Sequence, residues 1–147
     1  MEKALLEKGQ VAKSSITIDA PRATVWHALT DPATIAKYMF GAKVDSDWRE
    51  GRPITWKGKW KGKPYEDKGK IMKIKPEQTL QYSHYSPMSG APDVPESYHT
   101  VTIDLFGKGD RTEVKLSQDN NTSDEEREHS EKNWTTMLQS LKKVVES

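Results

Sequence analysis

The sequence contains no cysteine. Disulfides, thiolate zinc sites and thiol catalysis are therefore excluded. Hydrophobic residues are scarce as well, at 33% against 31% charged, which points to a well-solvated surface around a modest core. No window approaches the roughly 20 apolar residues of a membrane-spanning helix. Met1 to Gln10 lacks the apolar run of about 7–15 residues of a secretion signal. The expectation is a cytoplasmic protein with no membrane span. Charge of one sign is also missing: the formal net charge is +1, so the molecule as a whole is not built to bind polyanions. Neither a His-x-His nor a His-Glu-x-x-His spacing occurs. No metal site and no cofactor is expected.

What is present is aromatic. Five Trp and five Tyr let a few large rings supply much of the buried area. The 147 residues fit one domain, with residues 1–10 as a helical turn or loose tail. Val11 to Asp19 alternates as a strand, with Ile16 and Ile18 on one face. Asp19 and Pro21 read as the cap and first turn of a short helix carrying Val25, Ala28 and Leu29. Asp31-Pro32 opens a second, with Ile35, Tyr38 and Met39 on its apolar side.

From Ala42 to Gln118 every signal is strand or turn. Ile54 and Trp56 alternate with polar residues. Lys61 to Pro64 reads as a turn and Lys68 to Ile74 as a strand. Leu80, Tyr82 and His84 share a face, as do His99, Val101, Ile103 and Leu105. Gly107 to Asp110 is a hairpin turn, and Thr112, Val114, Leu116 and Gln118 alternate in the returning strand. Ser86 to Glu96 is a long loop rich in Pro, Gly and Ser. Its three prolines and Gly90 suggest either a lid or an ordinary connection. Ser123-Asp-Glu-Glu126 is a capping box. It opens a long helix whose apolar stripe is Trp134, Met137, Leu138, Leu141, Val144 and Val145. A one-sided antiparallel sheet followed by one long amphipathic helix must bury that helix on its apolar face. A curved sheet cannot meet a straight helix along its whole length, so the gap is a pocket or is filled by large side chains.

Specific words accompany this order. The run from Ile18 to Pro32 (IDAPRATVWHALTDP) resembles the opening of the SRPBCC superfamily. It is closest to the branch similar to the C-terminal domain of the activator of the ninety-kilodalton heat-shock chaperone's ATPase. Gly69 to Pro76, Leu80 to His84, Thr112 to Gln118, and Trp134 with Leu138, Leu141 and Lys142 are similar to later elements of that branch. The resemblance implies an α+β, helix-grip (START-like) fold: a curved antiparallel sheet of about six to seven strands around a long C-terminal helix, with two short helices after the first strand. It implies a pocket but no particular reaction. Three positions depart from the family pattern. Tyr38 and His84 stand where the family often has Trp, and Gln118 where it often has His.

Pocket residues expected from this reading are Tyr38, Phe40, Trp48, Trp56, Tyr82, His84, His99, Val101, Gln118, Trp134, Met137 and Leu141. The aromatic members either line a cavity or simply fill it as core. His84 and His99 are the two weak catalytic candidates, as a general acid–base or as polar anchors for a ligand. The favoured alternative makes them half-buried histidines satisfied by hydroxyls such as Ser117 or Tyr98. Between Arg52 and Lys75, nine Lys/Arg face only Glu66 and Asp67. That basic stretch reads first as a solvated hairpin whose charges discourage edge pairing. Lys57, Lys59, Lys61 and Lys63 also form a possible docking surface for a protein partner; nucleic acid is not favoured. The function expected first is a non-enzymatic module holding a hydrophobic or aromatic small molecule. A stress-related, chaperone-associated interaction protein is the alternative. A cyclase- or hydrolase-like enzyme using a pocket histidine is the second.

Overall fold

The computed structural model describes residues 10–147. The tail expected at residues 1–10 therefore lies, except for Gln10, outside the described residues. The chain runs through β1 (Gln10–Ile18), α1 (Arg22–Thr30), α2 (Pro32–Tyr38), β2 (Lys43–Ser46), β3 (Pro53–Trp60), β4 (Lys63–Lys75), β5 (Thr79–His84), β6 (His99–Lys108), β7 (Arg111–Asn121) and α3 (Asp124–Glu146). The strands form one antiparallel sheet in the order β1-β7-β6-β5-β4-β3-β2, which does not close. This is the α+β helix-grip arrangement.

Local chemistry sets the helix boundaries. Asp31 caps α2, its carboxylate accepting from the Thr34 amide at 3.1 Å and hydroxyl at 2.6 Å. The Thr34 hydroxyl, more than anything else, holds that carboxyl below its usual range. Ser123 caps α3 by accepting from the Glu126 amide at 3.1 Å. Glu126 returns the bond to the amide of Thr122 at 3.2 Å, one residue before the cap, so the box is offset. One expected cap is wrong. Pro21 occupies the cap position of α1 without a side-chain bond. Asp19 does not cap that helix, and its amide donates to Glu146 at 2.7 Å.

That last bond belongs to a series. The backbone amide of Lys13 donates to Glu131 at 3.0 Å, Ser14 and Thr135 share a 2.7 Å hydroxyl bond, and Lys142 donates to the Thr17 carbonyl at 3.0 Å. The helix therefore runs parallel to β1, a strand at one edge of the sheet. From Lys13 to Asp19 the strand advances about 20 Å at about 3.3 Å per residue. From Glu131 to Glu146 the helix advances about 22 Å at about 1.5 Å per residue. The two lengths match, so one helix face covers this edge and engages the Lys13 amide, the Thr17 carbonyl and, just beyond the strand, the Asp19 amide.

The neighbouring face of α3 goes inward. Met137, Leu138 and Leu141 are buried with Ile18, Val25, Ile35, Tyr38, Ile54, Trp56, Ile71, Tyr82, Val101 and Val114 in one core, and Trp134 packs at its margin. Each such aliphatic side chain contributes about 1.5–3 kcal/mol of burial. The 124–133 half of α3 has no apolar residue, so nothing pulls it into the core.

Candidate functional site: the cleft beneath the long helix

Two cavities open beside the polar half of α3. The inner one, ≈310 Å³, is lined by Met39, Phe40, Tyr65, Gln118, Ser130, Asn133, Trp134 and Met137. The outer one, ≈610 Å³, is lined by Phe40, Tyr65, Asp67, Ser86, Met88, His129, Asn133 and Thr136. Phe40, Tyr65 and Asn133 border both, so the two are parts of one cleft between α3, β4 and the end of α2.

Each wall has a local cause. Phe40 follows α2 with φ at +55°, in the left-handed region, and is 68% exposed. A bulky residue held there costs about 1–3 kcal/mol. Met88 is also exposed and stands in the short helical turn Pro87–Ser89. Tyr65 pairs with Gly58 across β3–β4, and a Cβ on Gly58 would come within 2.7 Å of its hydroxyl. The missing side chain makes room for the ring. At the inner end, the Trp134 indole N–H donates to the Gln118 side-chain oxygen, which fixes both rotamers.

The polar feature of the cleft is Asp67. It pairs in register with Trp56. One carboxylate oxygen lies 2.9 Å from His84 Nε2. The other is buried and has no hydrogen-bond partner among the described residues. The Asp67 side chain is only 16% exposed and that of His84 27%. A carboxylate only accepts, so His84 Nε2–H is the donor, which leaves Nδ1 as an acceptor in the neutral ring. Trp56 holds the imidazole edge-on at 5.2 Å between centroids and meets Tyr82 at 5.0 Å.

The expected site residues separate into groups. Phe40, Gln118, Trp134 and Met137 border the cleft. Tyr38, Trp56, Tyr82, Val101 and Leu141 are buried in the core behind it, and Trp48 packs at the core's margin. Burial pushes the Tyr38 and Tyr82 phenols far above their usual range. The Tyr38 hydroxyl donates to the Ala28 carbonyl at 2.9 Å. His84 meets the cleft through Asp67. His99 does not border it, and its Nδ1 donates to the Asp119 carbonyl at 2.8 Å. The hydroxyl partners expected for the histidines are thus replaced by a carboxylate and a backbone carbonyl. Tyr98 instead donates to Asp93 at 2.7 Å.

The lid reading of Ser86–Glu96 also needs correction over its second half. Tyr85 stacks on Tyr98 at 5.3 Å and donates to the Ala91 carbonyl at 2.6 Å. Asp93 pairs with Lys68 at 2.5 Å, and Asn120 donates to the carbonyls of Glu96 and Tyr98. These bonds tie the segment to the sheet's other face, over a groove of ≈540 Å³ beside Met72 and Thr100. Among the described residues that groove has no buried unpaired polar atom, and α3 contributes nothing to its lining.

Sequence reasoning missed Tyr65, Asp67 and Asn133. Beginning the strand at Lys68 hid that Tyr65, Asp67 and Ile71 share a face of β4. By local charge alone Asp67 is only an acid opposing the lysines.

Among the described residues no group of His, Asp or Glu forms a metal site, and no helix is long and apolar enough to cross a membrane. An open antiparallel sheet gripping a long C-terminal helix, with a cleft under that helix, defines the helix-grip class. Residues 19–146 match the family model of activator of Hsp90 ATPase homolog 1-like proteins, and the chain belongs to that family. No curated protein matches the sequence. Among solved structures, a Cytophaga hutchinsonii protein is 52% identical, with a TM-score of 0.82 over 93% of this chain and 94% of its own. An Aha1 dimer from Colwellia psychrerythraea is 22% identical, with a TM-score of 0.71 over 92% and 96% of the two chains. CalU16 from Micromonospora echinospora, also 22% identical at a TM-score of 0.71, covers 92% of this chain with 83% of its own. The last two likenesses concern the fold.

Proposed function

We propose that this protein is a small-molecule-binding module that holds an apolar or aromatic ligand in the cleft beneath α3. The observation that carries the reading is Phe40. A large aromatic ring stands 68% exposed on left-handed backbone at the rim shared by both cavities. Neither core packing nor backbone preference accounts for it, whereas a ligand entering the cleft would cover it. Exposed Met88 supplies a second, adaptable lip. The reading is of binding rather than turnover. Nile red, a neutral apolar dye, tests it: fluorescence should rise on addition of the protein, and Phe40→Asn should weaken that rise. An unchanged dye signal would count against the reading.

A second reading follows from family membership, namely interaction with a chaperone through the basic hairpin. Lys43 and Lys57 lie directly opposite each other in the β2–β3 register, an unfavourable like-charge pair unless an anion meets it. Lys57 and Lys59 alternate away from buried Trp56, onto the sheet's outer face, while Lys61 and Lys63 lie at the hairpin tip. Replacing Lys57, Lys59, Lys61 and Lys63 by Glu should abolish capture of an acidic partner. Retention of that partner would remove this reading and leave the first untouched.

A further inference from the structure

The geometry points to Asp67, oriented by His84, as a hydrogen-bond-accepting anchor, so that the ligand of the cleft is an aromatic or aliphatic molecule bearing a protonated amine. This inference rests on the cleft being a ligand site.

The walls of the cleft are rings, methionines and neutral polar side chains, with His129 at the outer rim. Asp67 is the only carboxylate among them. Its inner oxygen is the single buried side-chain polar atom without a partner among the described residues. A native fold seldom leaves such an atom unmet without a reason. His84 occupies the other oxygen at 2.9 Å and orients the carboxylate, itself braced edge-on against Trp56. The carboxylate therefore offers acceptors only, and a ligand's donor would meet it where its 16% exposed side chain borders the outer cavity.

A charged donor fits better than a neutral one. No Lys or Arg forms an ion pair with Asp67 among the described residues, because the nearby cations are placed elsewhere. Lys68 follows Asp67 on the strand, points to the other face and is engaged by Asp93 at 2.5 Å. Lys57 and Lys59 alternate away from Trp56, the register partner of Asp67. Lys70 borders the outer-face groove. Rings from Phe40 and Tyr65 border the same cavity, and an ammonium group gains further attraction beside aromatic faces. A carboxylated ligand would meet like charge at the same point.

The test is competition against Nile red on the full chain, with 2-phenylethylamine, 2-phenylethanol and 3-phenylpropanoate as matched cation, neutral donor and anion. The amine is expected to displace the dye at least tenfold more strongly than the propanoate, with the alcohol between them. Asp67→Asn keeps the side-chain volume. It should lower the amine's affinity about tenfold, and far-ultraviolet circular dichroism reports whether the variant is folded. Dye binding with all three compounds equal, or with the propanoate strongest, would overturn the anchor while the cleft remains a ligand site. Failure of the dye and all three compounds to bind would remove both. The wild-type ranking decides the matter even if the variant does not fold.

Discussion

His84 Nε2 stands 2.9 Å from one oxygen of Asp67, while the other oxygen of that carboxylate is buried and unmet. The pair joins β4 to the end of β5 and turns an apolar cleft into one with a polar end. His84→Ala should therefore destabilise the fold by about 1–3 kcal/mol, because both oxygens of a mostly buried carboxylate then lack partners. The double variant His84→Ala/Asp67→Ala should lose less than the sum of the two single changes. Urea denaturation of the four proteins measures this coupling, and strict additivity would show that the bond contributes nothing.

Phe40 sets stability against binding. Asn and Gly tolerate a φ of +55° better than Phe, and the ring itself is mostly exposed. Phe40→Asn should leave the melting temperature unchanged or raise it, as up to about 1 kcal/mol of backbone strain is relieved, while weakening dye binding. A marked fall in melting temperature would mean that the ring supports the fold instead.

Gly69 is required sterically. A Cβ there would lie 1.7 Å from the Ser83 carbonyl oxygen, a backbone atom that cannot move aside cheaply. Gly69→Ala should cost about 3 kcal/mol or more, read as a large drop in denaturation midpoint or as insoluble protein. Gly58→Ala meets only the Tyr65 ring, so it should fold, displace that ring and alter ligand affinity.

Alkaline pH should unfold the protein through Tyr38 and Tyr82. Burial raises both phenols in the folded state. The stability each contributes is fully present below the unfolded phenol value of about 10 and is lost as pH rises beyond it. Tyr82→Phe should flatten the decline in denaturation midpoint between about pH 10 and 12. Tyr38→Phe should flatten it too, after an offset of about 1 kcal/mol for the lost bond to Ala28. Identical slopes in wild type and variants would contradict this assignment.

The fold was legible because its signals are periodic or are punctuated by caps: the alternation of Val101, Ile103 and Leu105, Asp31 before Pro32, Ser123 before Glu126, and the stripe from Trp134. The cleft was legible only in part. Trp134, Met137 and Gln118 could be placed from the faces of α3 and β7. Asp67 could not, since its role depends on how β4 pairs with both Trp56 and the end of β5, and a local charge count makes it look like any solvated acid. Asp19 misled for a related reason. Its position before Pro21 suits a cap, but the parallel docking of α3 on β1 claims its amide for Glu146.

The most direct measurement of the central claim uses the methionine methyl groups. Met39, Met88 and Met137 border the cleft, whereas Met72 borders the groove on the opposite face. With methyl-labelled methionine, titration with 2-phenylethylamine or Nile red should shift the NMR signals of Met39, Met88 and Met137 and leave Met72 in place. Shifts confined to Met72, or no shift at saturating ligand, would contradict a ligand site beneath the long helix.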